Sequence, residues 1–294
     1  MKVNIEKQPK STIKMTITVP SDAAKAAYDE VIDAAVKTTE VEGFRKGNAP
    51  KHVVEEKVGI PKLHGEAMNK LLQTYYTQAL KESKIAPVSN PRVEVKEFNI
   101  NKDFEFTAEV AVRPEIKIGE YKKALKTRHK EKAEEQRKNN EEKIKKGEKL
   151  EDMHLSANDV IAVLVDSAQM EIADILIEEE TNRMMARLVD QAQAVGMSMD
   201  QYLNAQKKTA EELRTDYDKI SKRNLEAEFI MSHLIGEEKI VAEDKEIQEM
   251  IKASGLEDAD KRAQDPMEMM YVKSILQKNK LITKLIAEAE KDEK

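Results

Sequence analysis

Residues 43–50 read Gly43-Phe44-Arg45-Lys46-Gly47-Asn48-Ala49-Pro50. Two glycines and a closing proline punctuate this octet, so it is a poor continuation of any helix or strand. It reads as a turn-rich segment between helices. Upstream, Pro20-Ser21-Asp22 opens a helix with Ser21 as its expected cap. Ala24, Ala27, Tyr28, Val31 and Ala35 recur along that helix at helical spacing, and it should stop before Gly43. Downstream, a short helix is expected from Lys51 to Gly59. A longer one follows from Pro61, carrying Leu63, Ala67, Leu71, Tyr75 and Leu80.

Further out the period changes from helical to alternating. Val3 and Ile5 lead, across a turn at Gln8-Pro9-Lys10, into Ile13, Met15, Ile17 and Val19. After the breaks at Pro87 and Pro91, Val93/Val95 and Phe104/Phe106/Ala108/Val110/Val112 alternate again, with Asn99–Asp103 as the hairpin loop. The front of the chain is therefore an α+β unit, strand–strand–helix–helix–strand–strand, ending near Pro114.

The rest differs in kind. Residues 119–150 are almost wholly charged, with Tyr121, Leu125 and Ile144 as sparse anchors, and read as a solvated helix or loose arm. From about residue 156 everything looks helical. Ile161, Val163, Leu164 and Val165 mark a short buried helix, and Ile177, Met184, Met185, Leu188, Ala192 and Val195 mark one face of a long helix ending at Gly196. Ser198-x-x-Gln201, Thr209-x-x-Glu212 and Asp265-Pro266-x-Glu268 are helix starts.

Composition narrows the function. The 294 residues include no Cys and no Trp, 4% aromatics and 36% charged residues. Disulfides, thiol catalysis and cysteine-ligated metals are excluded together. His52, His64, His129, His154 and His233 lie far apart, outside any metal-ligand spacing, and no nucleophile elbow, phosphate loop or dinucleotide fingerprint occurs. No catalytic residue, metal or cofactor is expected. The start lacks a signal-peptide core and no stretch reaches roughly 18 apolar residues, so the cytoplasm is the expected location, with no membrane partner. Net charge is +2 over 1–118, +5 over 119–150 and −13 over 151–294, so only the front suits a polyanionic partner. Eleven of the fourteen methionines fall in 151–294. Neighbours such as Met184/Met185 and Met269/Met270 stand about 100° apart on a helix and cannot share one narrow seam. Some should line an adaptable apolar groove.

The octet in this setting resembles the signature Gly-Phe-Arg-x-Gly-(Lys/Arg)-x-Pro of trigger factors, the bacterial ribosome-associated chaperones. Five of its six defined positions match, and Asn48 stands where the family has a basic residue. The paired opening strands, Ile85-Ala86-Pro87, the closing hairpin, and Ile177-Glu178-Glu179-Glu180 leading into Arg183-Met184 agree. The resemblance implies an α+β N-terminal ribosome-binding domain over 1–115 and an elongated all-α substrate cradle over 156–294. A charged helical arm over 116–155 would stand in place of the family's FKBP-type prolyl isomerase domain, which needs strands and aromatics that this segment lacks.

The resemblance also assigns partners: the large ribosomal subunit at the tunnel exit (protein and rRNA), and nascent or unfolded polypeptides. Gly43, Phe44, Arg45, Lys46, Gly47 and Pro50 would dock the ribosome. Met184, Met185, Leu188, Met231, Met267, Met269 and Met270 would hold clients by apolar contact without nucleotide. A helical scaffold or assembly adaptor for one defined partner, a residual prolyl isomerase, and pairing of free molecules remain open alternatives.

Overall fold

The alternating runs form one antiparallel sheet. Its strands are β1 (Lys2–Gln8), β2 (Thr12–Val19), β3 (Arg92–Val95) and β4 (Phe104–Ala111), in the order β1-β2-β4-β3. In the computed structural model the described residues are 1–146, 154–255 and 258–291, without the side chains of 141–146. Val19 faces Phe104, Ile17 faces Phe106, Met15 faces Ala108 and Ile13 faces Val110, so all eight lie on one buried face. Helices α1 (Ser21–Thr38) and α3 (Ile60–Ser83) contribute Ala24, Ala27, Leu71 and Ala79 to the same core. Helix α2 (Lys51–Val58) lies between them in sequence.

The opposite face carries charge. Register places Glu6 opposite Lys14, Lys14 opposite Glu109, and Glu109 opposite Arg92. The signs alternate across all four strands, an arrangement in which each cross-strand pair contributes roughly 0.2–1 kcal/mol.

One expected cap is corrected. Helix α1 already starts at Ser21, so its cap position is Pro20, which offers no side-chain acceptor. The Ser21 N–H instead donates to the Asp103 carboxylate at 3.0 Å, from the loop before β4. Local spacing could not show this, because the acceptor lies 82 residues away in the chain.

Two compact units divide the chain: Met1–Arg113 with Ala173–Glu179, and Pro114–Ile172 with Glu180–Lys294. Ala173, Ile175 and Leu176 are buried, Asp174 pairs with Lys10 at 2.8 Å, and Glu178 pairs with Arg92. These contacts give the first unit seven residues from within the 156–294 stretch.

The second unit contains β5 (Lys117–Ile118), α4 (Tyr121–Lys146), α5 (Ala157–Asp166), β6 (Ala168–Gln169), most of α6 (Asp174–Ala194), α7 (Met199–Gln206), α8 (Ala210–Glu237), α9 (Asp244–Ala253), α10 (Ala259–Arg262) and α11 (Pro266–Glu290). β5 pairs with β6 antiparallel, a two-residue ladder too short to leave a pattern in the sequence. Ser198 with Gln201 and Thr209 with Glu212 form the expected capping boxes. Asp265 accepts from the Met267 N–H at 2.9 Å, but Glu268 turns to Arg262 instead of closing a box. A further box, Ser156 with Asp159, starts α5.

Helix α4 is continuous to Lys146, and its first half is packed. Leu125 and His129, one turn apart, are buried, and Leu125 joins Val160, Leu164, Ile230, Leu234, Leu281 and Leu285 in one core. The end of the charged segment, 147–153 with Met153, lies outside the described residues. Two carboxylates fix two lysines of α4, Lys122 and Lys132. Glu238 accepts from Lys122 at 2.8 Å, from Lys284 of α11 and from the Tyr121 hydroxyl at 3.2 Å. Asp159 accepts from Lys132 at 2.5 Å and lies 3.5 Å from Arg128.

The hydrogen bonds from Lys122 and Lys284 bring the Glu238 carboxyl down to about 2 from 4.5. Burial pushes Asp159 up, but the bonds from Lys132 and Ser156 outweigh it and hold the group well below the usual carboxylate range. Both folded values lie below the unfolded ones, so the stabilisation is complete above the unfolded values and disappears as pH falls through the folded ones. Urea midpoints followed by circular dichroism should fall as pH drops from about 5 to about 2. Glu238→Gln should be less stable at neutral pH and lose less on acidification.

Candidate functional site

The segment between α1 and α2 is built from two tandem turns. The Phe44 N–H donates to the Val41 carbonyl at 3.1 Å, and the Asn48 N–H to the Arg45 carbonyl at 2.9 Å. Gly43 and Gly47 hold the third position of each turn, with φ of 82° and 87°. That backbone demands glycine, as in type II turns. A Cβ at either position would meet nothing within 4 Å, so the requirement is conformational and not one of space.

Between the two glycines, Phe44, Arg45 and Lys46 form the tip. Phe44 is 44% exposed, and both cations are exposed. Arg45 makes no ion pair with a described residue, and Lys46 lies 3.9 Å from the exposed Glu40. Their charges are free for a partner, since so loose a surface contact is worth little. The base is fixed. Ala49 is buried with Tyr28, Ile32, Val54, Leu63 and Ala67, and Val41 packs on the same cluster. Pro50 holds the cap position of α2 and accepts from the Val53 N–H at 3.1 Å. Gly43, Phe44, Arg45, Lys46, Gly47 and Pro50 thus belong to one short projection with a buried foot. Asn48 is exposed beside them.

The apolar set chosen from the rear half is split by burial. Met231 lies inside the core of the second unit, and Leu188 is also buried, so neither presents its side chain to a client. Their helical spacing marks them as apolar positions, but spacing does not say which face meets a neighbouring helix. Met184 and Met185 are half-buried. The Met184 sulfur accepts from the Ser221 hydroxyl at 3.4 Å, and Ser221 in turn accepts from the buried Thr181 hydroxyl at 3.0 Å. Met269 packs beside Ile247, Ile251 and Val272. Met267 and Met270 are 76% and 69% exposed on the first turns of α11. Tyr271 is 66% exposed beside them. Positions 267, 270 and 271 share one helix face.

Among the described residues, no group of three or more His, Asp or Glu is placed to hold a metal ion, and no helix is long and apolar enough to cross a membrane. His64 serves the core, edge-on to Tyr28 at 5.3 Å and to Phe98 at 5.5 Å.

Comparison with known proteins places these features. Residues 1–146 match the family model for bacterial trigger factor protein (TF), and residues 119–293 match the model for its C-terminus. Trigger factor of Staphylococcus epidermidis is 40% identical over 108 residues, covering 37% of this chain and 25% of that protein. Trigger factor of Staphylococcus carnosus is 38% identical over 108 residues, covering 37% and 24%. The chain thus spans about a quarter of the length of the curated relatives it matches. A solved structure described as "Promiscuous Substrate Recognition in Folding and Assembly Activities of the Trigger Factor Chaperone" superposes with a TM-score of 0.69. It covers 99% of this chain and 100% of that one at 15% identity, a likeness of fold.

Because the turn glycines sit at positive φ, Gly47→Ala should cost about 1 kcal/mol in strain while leaving the core intact. Urea denaturation should register that loss, and Asn48→Ala should register almost none.

Proposed function

The chain belongs to the bacterial trigger factor family, and from that premise we propose that it docks on the large ribosomal subunit beside the nascent-chain exit and holds unfolded polypeptides there without nucleotide. The observation that carries this reading is the loop tip. Phe44 offers an apolar anchor, Arg45 a fork of donors suited to carboxylate or phosphate, and Lys46 a point charge, on a base rigid enough to present them. Docking of this kind meets both the protein and the RNA of the subunit, and places the protein in the cytoplasm. The neutral Asn48 weakens the electrostatic part by roughly a kcal/mol or less.

The client surface is assigned to Met267, Met270 and Tyr271, the exposed part of the methionine-rich half, with Met184, Met185 and Met269 at the margin of packing. Flexible thioethers and an amphipathic ring suit partners of irregular shape. Residues 114–146 form only β5 and α4, which supports a chaperone that works without the prolyl isomerase reaction. The proposed domain roles are ribosome binding for the first unit and client holding for the second. The small extent of the exposed methionine stripe favours one other reading, an adaptor for a single defined partner. Protection of several unrelated unfolded proteins would rule that out.

Changing Phe44, Arg45 and Lys46 together to alanine should weaken co-sedimentation with ribosomes tenfold or more. Binding by the unaltered chain should fall as salt rises, because exposed charges are screened over about 8–10 Å. Unchanged pelleting would refute the assignment. Changing Met267, Met270 and Tyr271 together to serine should reduce suppression of client aggregation while ribosome binding and melting temperature hold. A prolyl-peptide assay should show no rate enhancement.

A further inference from the structure

Helix α2 carries the returning leg of the loop, and a small apolar patch holds one side of it. It has eight residues, no side-chain cap at its start, and Val54 as its buried residue. A helix this short has no independent stability, so tertiary contacts must set its position. Val54 and Val58 supply the apolar part, in the cluster of Tyr28, Ile32, Leu63 and Ala67, and polar contacts complete it. Lys51 pairs with Asp33 of α1 at 2.7 Å, Lys57 donates to the Glu40 carbonyl, and the Tyr28 hydroxyl of α1 donates to Glu55 at 2.8 Å. The lysines of the first two contacts are exposed and open to screening by salt. Tyr28 is only 8% exposed.

The Tyr28 ring is itself held. It meets His64 at 5.3 Å, His64 meets Phe98 at 5.5 Å, and Phe98 meets Phe104 at 5.1 Å, each pair edge-to-face. Phe104 is fully buried on β4. A chain of four rings therefore runs from the sheet core to the hydroxyl that grips α2. Edge-to-face is a favoured arrangement of neighbouring rings, so each contact adds to the placement of the next ring.

We infer that Tyr28 is a positioning residue for the docking loop: its hydroxyl, donated to Glu55, fixes α2 and so the direction in which Phe44, Arg45 and Lys46 project. The inference rests on the proposed docking role of that loop. Burial first, and then the Glu55 carboxylate, push the Tyr28 phenol up to about 12, so the donor stays protonated at any physiological pH.

Tyr28→Phe keeps the ring contacts and removes only the bond. Hydrogen exchange of free protein over residues 39–58 should quicken about fivefold, the size expected for one lost hydrogen bond, with the rest of the first unit unchanged. Ribosome affinity should weaken by a similar factor while its dependence on salt keeps the same slope. Glu55→Ala should do the same, the double variant should be no worse than either single one, and Glu55→Gln, which keeps an acceptor oxygen, should stay near the original. Unchanged exchange in Tyr28→Phe would overturn the inference, as would faster exchange spread evenly over the whole unit. So would faster local exchange with full ribosome affinity, provided the triple alanine variant at 44–46 fails to bind. If that triple variant binds normally, the docking reading is what fails, and the exchange data still decide whether Tyr28 anchors the loop.

Discussion

The pairing of β2 with β4, with Met15 opposite Ala108 and Ile17 opposite Phe106, is the constraint on which the first unit depends. Side chains alternate strictly along a strand, so a slip of β2 by one residue would turn its four buried apolar groups, Ile13, Met15, Ile17 and Val19, outward and draw Lys14 inward. With that register set, α1 and α3 have a single apolar face to cover. Phe104 then sits at the end of the ring chain that reaches Tyr28, and Asp103, next to it, meets the start of α1. The foot of the 43–50 segment, Ala49, is buried in the cluster that also holds Tyr28 and Val54.

The second unit solves a different problem. Helix α4 has too few apolar side chains to bind its neighbours by burial alone, yet Leu125 and His129 are inside. Glu238 and Asp159 each gather cations from α4 and bind them to another element: α8 and α11 in one case, α5 in the other. Removing one partner of such a group leaves charge poorly solvated, so these sites confer specificity of packing at the cost of sensitivity to acid.

Much of this was legible from pattern. The alternating runs at 12–19 and 104–111, the helix starts at Ser198 and Thr209, and the glycine turns follow from local spacing, because the forces behind them act over a few residues. The loop residues were legible for the same reason, as their chemistry is contiguous. The apolar surface was less so. Met231 and Met267 look alike in sequence, yet one is core and the other faces solvent. Nothing local marks Tyr271 as exposed area, and Glu55 gave no signal at all.

The sequence by itself determined where the strands of the four-stranded sheet and most helices lie, that the 43–50 segment is rich in turns, and that it carries an aromatic followed by two cations. Those outcomes depend on backbone preference and on periodicity, both written residue by residue. Only the tertiary structure decided that Asp103 caps α1, that residues 173–179 belong to the first unit, that α4 is half core, and which methionines reach solvent. Each of these is a contact between residues far apart in the chain. Its energy depends on which faces are buried together, and no local pattern records that.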